Sequence, residues 1–153
     1  MKKLYVFAMV VFAVLMLAPA LVQAQGGAKQ GPEVTRDPDL EKDSLHNLDV
    51  ARQYFKLKKA YKASLDRCEE IIAGNPTFSK IDEVLFIAGE SNLRLAEEKG
   101  KQKVKTEPDK LREAARDYLS QLVNDYPQSK FRGEALEDLK PLGGPKPKDS
   151  NKP

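Results

Sequence analysis

Few residues of this chain have the types and spacing that catalytic chemistry requires. The sequence holds one cysteine, Cys68, and one histidine, His46. A metal site or a nucleophile–base pair needs several such side chains together, so neither residue predicts one. Adjacent carboxylates such as Glu69 and Glu70 point about 100° apart on a helix, so they do not converge on one bond as a hydrolase acid and base must. We therefore expect no enzyme activity, no catalytic residue, no cofactor and no metal.

The lysine-rich segment 97–107 is the charge cluster that could bind a surface. It reads EEKGKQKVKTE, with lysines at positions 99, 101, 103 and 105 and Lys110 beyond. Clustered lysines bind anionic lipid headgroups, and acidic cell-wall polymer offers similar charge. Acidic residues at positions 97, 98, 107 and 109 nearly cancel this charge, so a mobile loop fits the pattern equally well. Binding of residues 99–110 to anionic lipid or peptidoglycan is therefore an alternative function.

The first 24 residues have the layout of a secretory signal. Two lysines precede an apolar run at residues 4–18, and small residues lead to a predicted cleavage site after Ala24. This layout predicts export across the inner membrane to the periplasm. An uncleaved anchor is the alternative, because the apolar stretch 4–22 is just long enough to span a bilayer.

The exported chain is expected to be unlipidated and nearly neutral. No cysteine directly follows the predicted signal, so the sequence offers no thiol there for a lipid anchor. Without Lys2 and Lys3 the chain has 24 basic and 23 acidic residues. This balance argues against a nucleic-acid partner, which selects a strongly basic face. Membrane contact is expected to be peripheral at most.

A 51-residue repeat organises the rest of the chain. Residues 63–85 and 114–136 align without a gap, and Cys68 aligns with Leu119. The identical pairs are Ala63/Ala114, Asp66/Asp117, Pro76/Pro127, Glu83/Glu134 and Leu85/Leu136. A repeated helix–Pro–helix unit predicts a helical solenoid, a class of fold that mostly binds other proteins. The alignment also places Cys68 in the core, because its partner is a core leucine.

Apolar residues at helical spacing predict an all-α fold of about five helices. They span roughly residues 44–57, 60–73, 79–96, a helix from Pro108 to the stop at Pro127, and 129–139. Ser44 is a predicted N-cap, and Ser79 with Asp82 a predicted capping box. Around this domain, 44–140 with an insert at 97–107, the composition predicts a disordered linker at 25–43 and a disordered Pro- and Lys-rich tail at 141–153.

The helix pairs resemble tetratricopeptide (TPR) repeats. That pattern places a small residue where two helices cross and a Pro at the end of the pair. By the resemblance, the fold is a short right-handed solenoid of two helix pairs plus a terminal half repeat. The small residues at the crossings are Ala51, Ala63, Gly89 and Ala114.

Three phrases point to a narrower relative. DRCEEIIAGNP, EVLFIAGESNLRLAEE and LVNDYPQSKF look like the TPR-like periplasmic domains of the BamD family, lipoproteins of outer-membrane protein assembly. This chain lacks the N-terminal lipidated Cys of that family. The resemblance implies an exported, non-catalytic adaptor that binds an envelope protein or peptide in cell-envelope or outer-membrane assembly or maintenance.

In stacked TPR pairs the first helices line a groove that binds the partner. By the resemblance, the groove residues are Leu48, Arg52, Phe55, Lys56, Phe86, Glu90, Leu93 and Arg94. Apolar residues flanked by mixed charge suit a peptide or a partner helix. The alternative is that the apolar members simply pack the core. Because the array stops at half a repeat, we also expect an uncovered apolar flank, and hence self-association or a partner.

Overall fold

The computed structural model describes residues 36–148, and every regular element within them is helical. The helices are α1 (Pro38–Gln53), α2 (Tyr61–Gly74), α3 (Ile81–Ala96), α4 (Pro108–Asp125) and α5 (Arg132–Leu139). A π-helical turn, Tyr54–Lys58, extends α1, and a 3-10 turn, Lys140–Leu142, follows α5. Each helix packs against the next one along the chain. The predicted all-α, TPR-like solenoid of about five helices is confirmed. None of these helices is both long and apolar enough to cross a membrane.

The first helix begins earlier than the sequence predicted. Asp37 is its N-cap, and the carboxylate accepts hydrogen bonds from the backbone N–H groups of Asp39 (2.9 Å) and Leu40 (3.4 Å). Pro38 occupies the first turn, where its missing N–H is not needed. The predicted cap, Ser44, instead lies buried inside the helix. The start was missed because this polar first turn shows no apolar period. Of the predicted linker, residues 38–43 are thus helical, whereas residues 25–35, like the signal 1–24, lie outside the described residues.

The turn between α2 and α3 is held by tertiary contacts and not by the predicted capping box. Lys80 precedes α3 as its cap residue and makes no side-chain capping bond. The backbone N–H of Ser79 donates to the Glu41 carboxylate at 3.2 Å. The Asp82 carboxylate accepts from the Ser129 hydroxyl at 2.6 Å, which joins α3 to the turn before α5. Both polar groups therefore serve contacts with other elements.

The core runs through all five helices. Its fully buried large side chains include Leu48 of α1, Cys68 of α2, Leu85 of α3, Leu119 of α4 and Leu139 of α5. These residues recur at the helical spacing seen in the sequence, so one apolar stripe of each helix faces the common interior.

The beginning of the predicted tail is ordered against α4, which corrects the expectation of a disordered segment from residue 141. We call residues 143–148 the strap. Gly143 and Gly144 have φ of 88° and 80°, left-handed conformations that glycine adopts readily. The Arg116 guanidinium donates to their carbonyl oxygens at 3.1 and 2.8 Å. Proline and glycine content predicted disorder, but polar contacts with α4 hold the segment.

Candidate functional site

The helix crossings use small residues, but one position later than the sequence predicted on two of the helices. Ala51 of α1 is fully buried, and its carbonyl oxygen accepts from the buried Ser64 hydroxyl at 2.9 Å. The predicted Ala63 is only half-buried. Fifty-one residues on, Ala115 is fully buried while the predicted Ala114 is not. Adjacent helical residues point about 100° apart. The identical pair Ala63/Ala114 in the repeat therefore did not show which of two adjacent small residues faces the crossing.

Gly89 of α3 lies against α4. A Cβ atom built on it would be 2.6 Å from Cγ of Leu119. That distance is far below van der Waals contact, and Leu119 is itself fully buried. The two helices approach closely here because Gly89 has no side chain.

Cys68 is a core residue, as the repeat predicted. It is fully buried, and so is its repeat partner Leu119. Burial raises the pKa of the Cys68 thiol to about 12. The reactive thiolate is therefore essentially absent at neutral pH. Among residues 36–148 no group of three or more metal-ligating side chains occurs.

In the first repeat, the predicted groove residues Leu48 and Arg52 do not line an open groove. Leu48 is fully buried. Arg52 forms a two-pronged ion pair with Glu83 of α3, both nitrogen–oxygen distances being 2.6 Å, and also contacts Asp49. Partial burial opposes ionisation of Glu83, but the hydrogen bond and charge of Arg52, together with nearby lysine charges, outweigh it and lower the pKa of Glu83. Arg52 therefore joins α1 to α3.

In the second repeat, α5 covers the predicted groove. Phe86, only 8% exposed, stacks on Phe131 next to α5 with ring centroids 4.9 Å apart. Glu90, 5% exposed, accepts a hydrogen bond from Arg94 at 2.7 Å. Asp138 of α5 lies beside it. The terminal half repeat thus occupies the face that the sequence assigned to a partner, through side-chain contacts of Phe131 and Asp138 with α3.

The pairing of Glu90 with Asp138 creates an unusual carboxyl group. Burial, then the charge and hydrogen bond of Glu90, then the charge of Glu134 raise the pKa of Asp138 to about 7, although Arg94 opposes this. One oxygen of Asp138 is buried and lacks a hydrogen-bond partner among the described residues. At the contact between α3 and α5, burial and the Glu90 carboxylate therefore favour the protonated form of Asp138.

The accessible part of the predicted groove is Phe55, Lys56, Leu93 and Arg94, and together with the neighbouring Leu57 we call it the open end. Phe55 and Leu93 are partly buried against the core, and Phe55 meets the Tyr61 ring edge-on at 5.3 Å. Lys56 is exposed. Leu57, which sequence reasoning did not single out, is 79% exposed. It was missed because it sits in the π-helical turn, where the α-helical period no longer applies.

Arg94 is the partly buried charge of the open end. Partial burial opposes its ionisation, but the carboxylates of Glu90 and Glu97 outweigh this and raise the pKa of Arg94. The guanidinium is therefore held positive beside the apolar side chains of the open end.

The lysine-rich insert is docked at its first half. The backbone N–H of Lys101 donates to the carbonyl oxygen of Lys59 at 3.2 Å, and Gln102 Oε1 accepts from the N–H of Ala63 at 3.1 Å. Gly100 has φ of 99°, and a Cβ on it would lie 2.6 Å from the Lys59 carbonyl oxygen. Val104 packs against the core. These contacts bring the insert to the turn after α1, so two lysine-rich segments form one basic surface.

We call that surface the basic end; its exposed lysines are Lys56, Lys58, Lys59, Lys99, Lys101, Lys103 and Lys105. Lys99 pairs with Glu97 at 2.8 Å, and Lys58 lies over the Tyr54 ring, 4.8 Å from its centroid. Within residues 36–148, the other five form no ion pair. The local sequence around Lys56 is equally rich in lysine, but only the fold shows that it meets the insert.

Comparison with known proteins identifies the family. A family model described as "Outer membrane lipoprotein" (YfiO) matches residues 19–143, which include all five helices. Searches of curated proteins and of solved structures gave no significant match. The match covers far more than half of the chain and the entire helical array. The protein therefore belongs to the YfiO family of outer membrane lipoproteins.

Proposed function

We propose that this protein is an exported, non-catalytic adaptor that binds another envelope protein in cell-envelope or outer-membrane assembly or maintenance. Membership in the outer membrane lipoprotein family and the TPR-like fold support this proposal. Helical arrays of this kind present extended surfaces to protein partners. The protein acts in the periplasm after cleavage behind Ala24.

The adaptor works without a lipid on its own thiol. Its one cysteine, Cys68, is fully buried in the core and far along the chain from the predicted signal. A modifying enzyme could reach this thiol only by unfolding the domain. Lipidation of Cys68 is therefore not part of the proposed adaptor.

The exposure of Leu57 is the observation that carries the proposal. Leu57 is 79% exposed, and within residues 36–148 the one other exposed large hydrophobic side chain is Leu40, at 45%. Leu57 projects from a π-helical turn, and such turns occur frequently at functional sites. Phe55 and Lys56 directly precede Leu57 in the chain, and the Phe55 ring packs against Tyr61 at the start of α2. An apolar residue among aromatic and charged neighbours suits a partner helix or peptide.

Site-specific crosslinking tests the adaptor. A photoreactive amino acid in place of Leu57 should yield a discrete crosslinked protein band in intact envelopes. The same amino acid in place of Leu40, which is 45% exposed at the other end of α1, is the control and should yield none. Lys56→Glu should reduce the Leu57 crosslink severalfold because it changes the charge beside the contact. Equal crosslinking from both positions would contradict the adaptor surface.

A second candidate function is binding to an anionic lipid or peptidoglycan surface through the basic end. The docking of Lys101 on Lys59 favours it, because it adds the insert to the lysines that follow α1. Each lysine near an anionic membrane contributes about 1 kcal/mol. Leu57 lies among these lysines and adds an apolar contact.

Vesicle binding separates this candidate from the adaptor. Vesicles with anionic phospholipid should bind the chain at low salt, and Lys101→Gln/Lys103→Gln/Lys105→Gln should remove most of that binding. The control is Lys42→Gln/Lys80→Gln/Lys140→Gln, the same charge change at exposed lysines elsewhere. Equal losses from both triple variants would indicate a net-charge effect and would refute a lipid site at the basic end. Binding to isolated peptidoglycan, measured with the same variants, distinguishes the polymer.

A further inference from the structure

The strap lies along a polar stripe of α4. The stripe consists of Glu113, Arg116, Asp117, Ser120 and Asn124, and we call it the polar face of α4. Glu113, Asp117, Ser120 and Asn124 are spaced by four, three and four residues, which puts them on one side of the helix, and Arg116 is adjacent to Asp117. Every member contacts the strap. A polar stripe of this length, fully used by one extended segment, has the form of a peptide site with its ligand in place.

Two side chains of the polar face form hydrogen bonds with the backbone of a single strap residue. The N–H of Lys146 donates to Ser120 Oγ at 2.8 Å, and Asn124 Nδ2 donates to the Lys146 carbonyl oxygen at 2.9 Å. Ser120 and Asn124 are one helical turn apart, so the pair grips one extended residue at both its donor and its acceptor. Ser120 is only 3% exposed beneath the strap. Backbone recognition of this kind is independent of the side chain presented.

Acidic side chains of the polar face provide a preference for a particular side chain, which the backbone contacts do not. The ammonium group of Lys146 lies 3.6 Å from Glu113 and also contacts Asp117. The hydrogen bond with Asp117 raises the pKa of Lys146 despite some desolvation. Lys148 pairs with Asp125 at 2.8 Å. The site therefore favours a lysine at the gripped residue.

The sequence of the strap suits an extended ligand. Pro145 and Pro147 flank Lys146. Proline fixes φ and favours the extended polyproline conformation, in which the backbone groups of the residue between them stay free to bond outward. The ligand that the polar face accepts is thus an extended segment with a central lysine.

The repeat shows that the strap occupies a position meant for another element. In the first repeat, Glu69 of α2 accepts from the Tyr118 hydroxyl of α4 at 3.3 Å, so this position faces the second helix of the following pair. Its counterpart 51 residues later is Ser120, which meets the strap. The strap therefore lies where the second helix of a third pair would pack. Hydrogen bonds and ion pairs hold it there, and a partner segment could make the same contacts.

We propose that the polar face of α4 is a binding site for an extended, lysine-containing peptide segment of a partner protein, and that the chain's own strap occupies it in the absence of that partner. The site shares no residue with the open end or the basic end, so it goes beyond the proposed function. Strap and partner compete for the same contacts. The affinity for a partner segment is reduced by the fraction of time that the strap covers the site.

Peptide binding to the full chain tests the proposal. The probe is a fluorescent peptide with the sequence of residues 142–148, LGGPKPK, measured by fluorescence anisotropy at low salt. The wild-type chain should bind it weakly. Lys146→Glu, which places a carboxylate against Glu113 and Asp117 and weakens the strap, should bind it at least about tenfold more tightly because the internal competitor is lost. A peptide with Glu in place of its central lysine should bind neither chain.

Two variants control the experiment. Lys140→Glu makes the same charge change outside the strap and should bind the peptide like wild type. Ser120→Ala/Asn124→Ala in the Lys146→Glu chain should abolish peptide binding while circular dichroism shows an intact helical fold. If Lys146→Glu only lowers the melting temperature and gains no affinity, the strap is merely a structural cap and the proposal is wrong. Equal binding of the Lys and Glu peptides would also overturn it.

Discussion

At the scale of single residues, Gly89 and Asp138 carry the clearest consequences. Gly89 allows α3 and α4 to approach until only a hydrogen fits over Leu119. Asp138 places a second carboxyl group beside the nearly buried Glu90. A larger side chain at Gly89 should destabilise the fold by steric clash. Removing the ionisable carboxyl at Asp138 should stabilise it by relieving charge repulsion.

Gly89→Leu should lower the free energy of unfolding by about 1–3 kcal/mol or more, because the added side chain enters a packed helix crossing. Urea denaturation measures this. Gly133→Leu is the matched control, since a Cβ at Gly133 meets nothing within 4 Å. It should be neutral or slightly stabilising, because glycine is a poor helix former. Equal effects of the two changes would mean that α3 and α4 do not pack closely at Gly89.

Asp138→Asn should stabilise the protein above neutral pH. In the folded state the pKa of Asp138 is raised from 3.8 to about 7, so the folded state retains a proton that the unfolded chain releases. Stability from this group is complete below the unfolded pKa and is lost as pH rises through the folded pKa. Asparagine stays neutral and can donate to Glu90 at any pH. The variant should therefore exceed wild type at about pH 8 and match it near about pH 4.

Thermal unfolding across this pH range measures the effect. Glu137→Gln, at the exposed neighbouring position of α5, should keep the pH profile of the wild type. If the stability of Asp138→Asn follows the same pH dependence as wild type, the pKa of Asp138 is not raised in the folded state.

At the scale of elements, the sequence predicted a helix boundary correctly where apolar residues at helical spacing, or a helix-breaking Gly or Pro, marked it. The pattern predicted α2 to within a residue or two, and Pro108 opens α4 as expected. The start of α1 was missed because it depends on the capping hydrogen bonds of Asp37, not on an apolar stripe. The insert was predicted to be a mobile loop because its local sequence does not show that Gln102 hydrogen-bonds to α2, 39 residues away.

Gln102 acts as the N-terminal cap of α2 from a distant part of the chain. Ala60 precedes α2 and has no side-chain acceptor, so Gln102 Oε1 accepts from Ala63 instead. Gln102→Ala should lower stability by about 0.5–1 kcal/mol, the lower range for a lost cap at an exposed position. Gln102→Glu should retain or exceed wild-type stability, because a carboxylate is favourable at a helix N-terminus. Chemical denaturation of both variants measures this; a loss of stability in Glu equal to that in Ala would exclude the capping role.

At the scale of the whole molecule, the reason to expect self-association has changed. A short array was expected to leave an apolar flank, since repeat proteins need about three repeats. In the structure, α5 covers the face of α3 and the strap covers α4. Within residues 36–148, only Leu40 and Leu57 are large exposed hydrophobic side chains.

The chain lacking its signal should therefore be a monomer at micromolar concentration. Two isolated leucines offer far less apolar area than a stable dimer buries. Light scattering after size-exclusion chromatography measures the mass, and Leu57→Ser should leave it unchanged. A wild-type dimer that Leu57→Ser dissociates would instead identify the open end as a self-association surface.

The sequence by itself determined the helices, their repeat and the family. The spacing of apolar residues, Gly and Pro acts over a few residues, so these signals can be read directly from the sequence. The repeat placed Cys68 in the core because it aligns Cys68 with the core residue Leu119. Tertiary structure alone decided which adjacent small residue faces a crossing, Ser64 and not Ala63. It also decided that α5 closes the second half of the groove, that two lysine segments meet, and that the tail binds α4. These depend on contacts between residues far apart in the chain, made by polar groups with no period of their own.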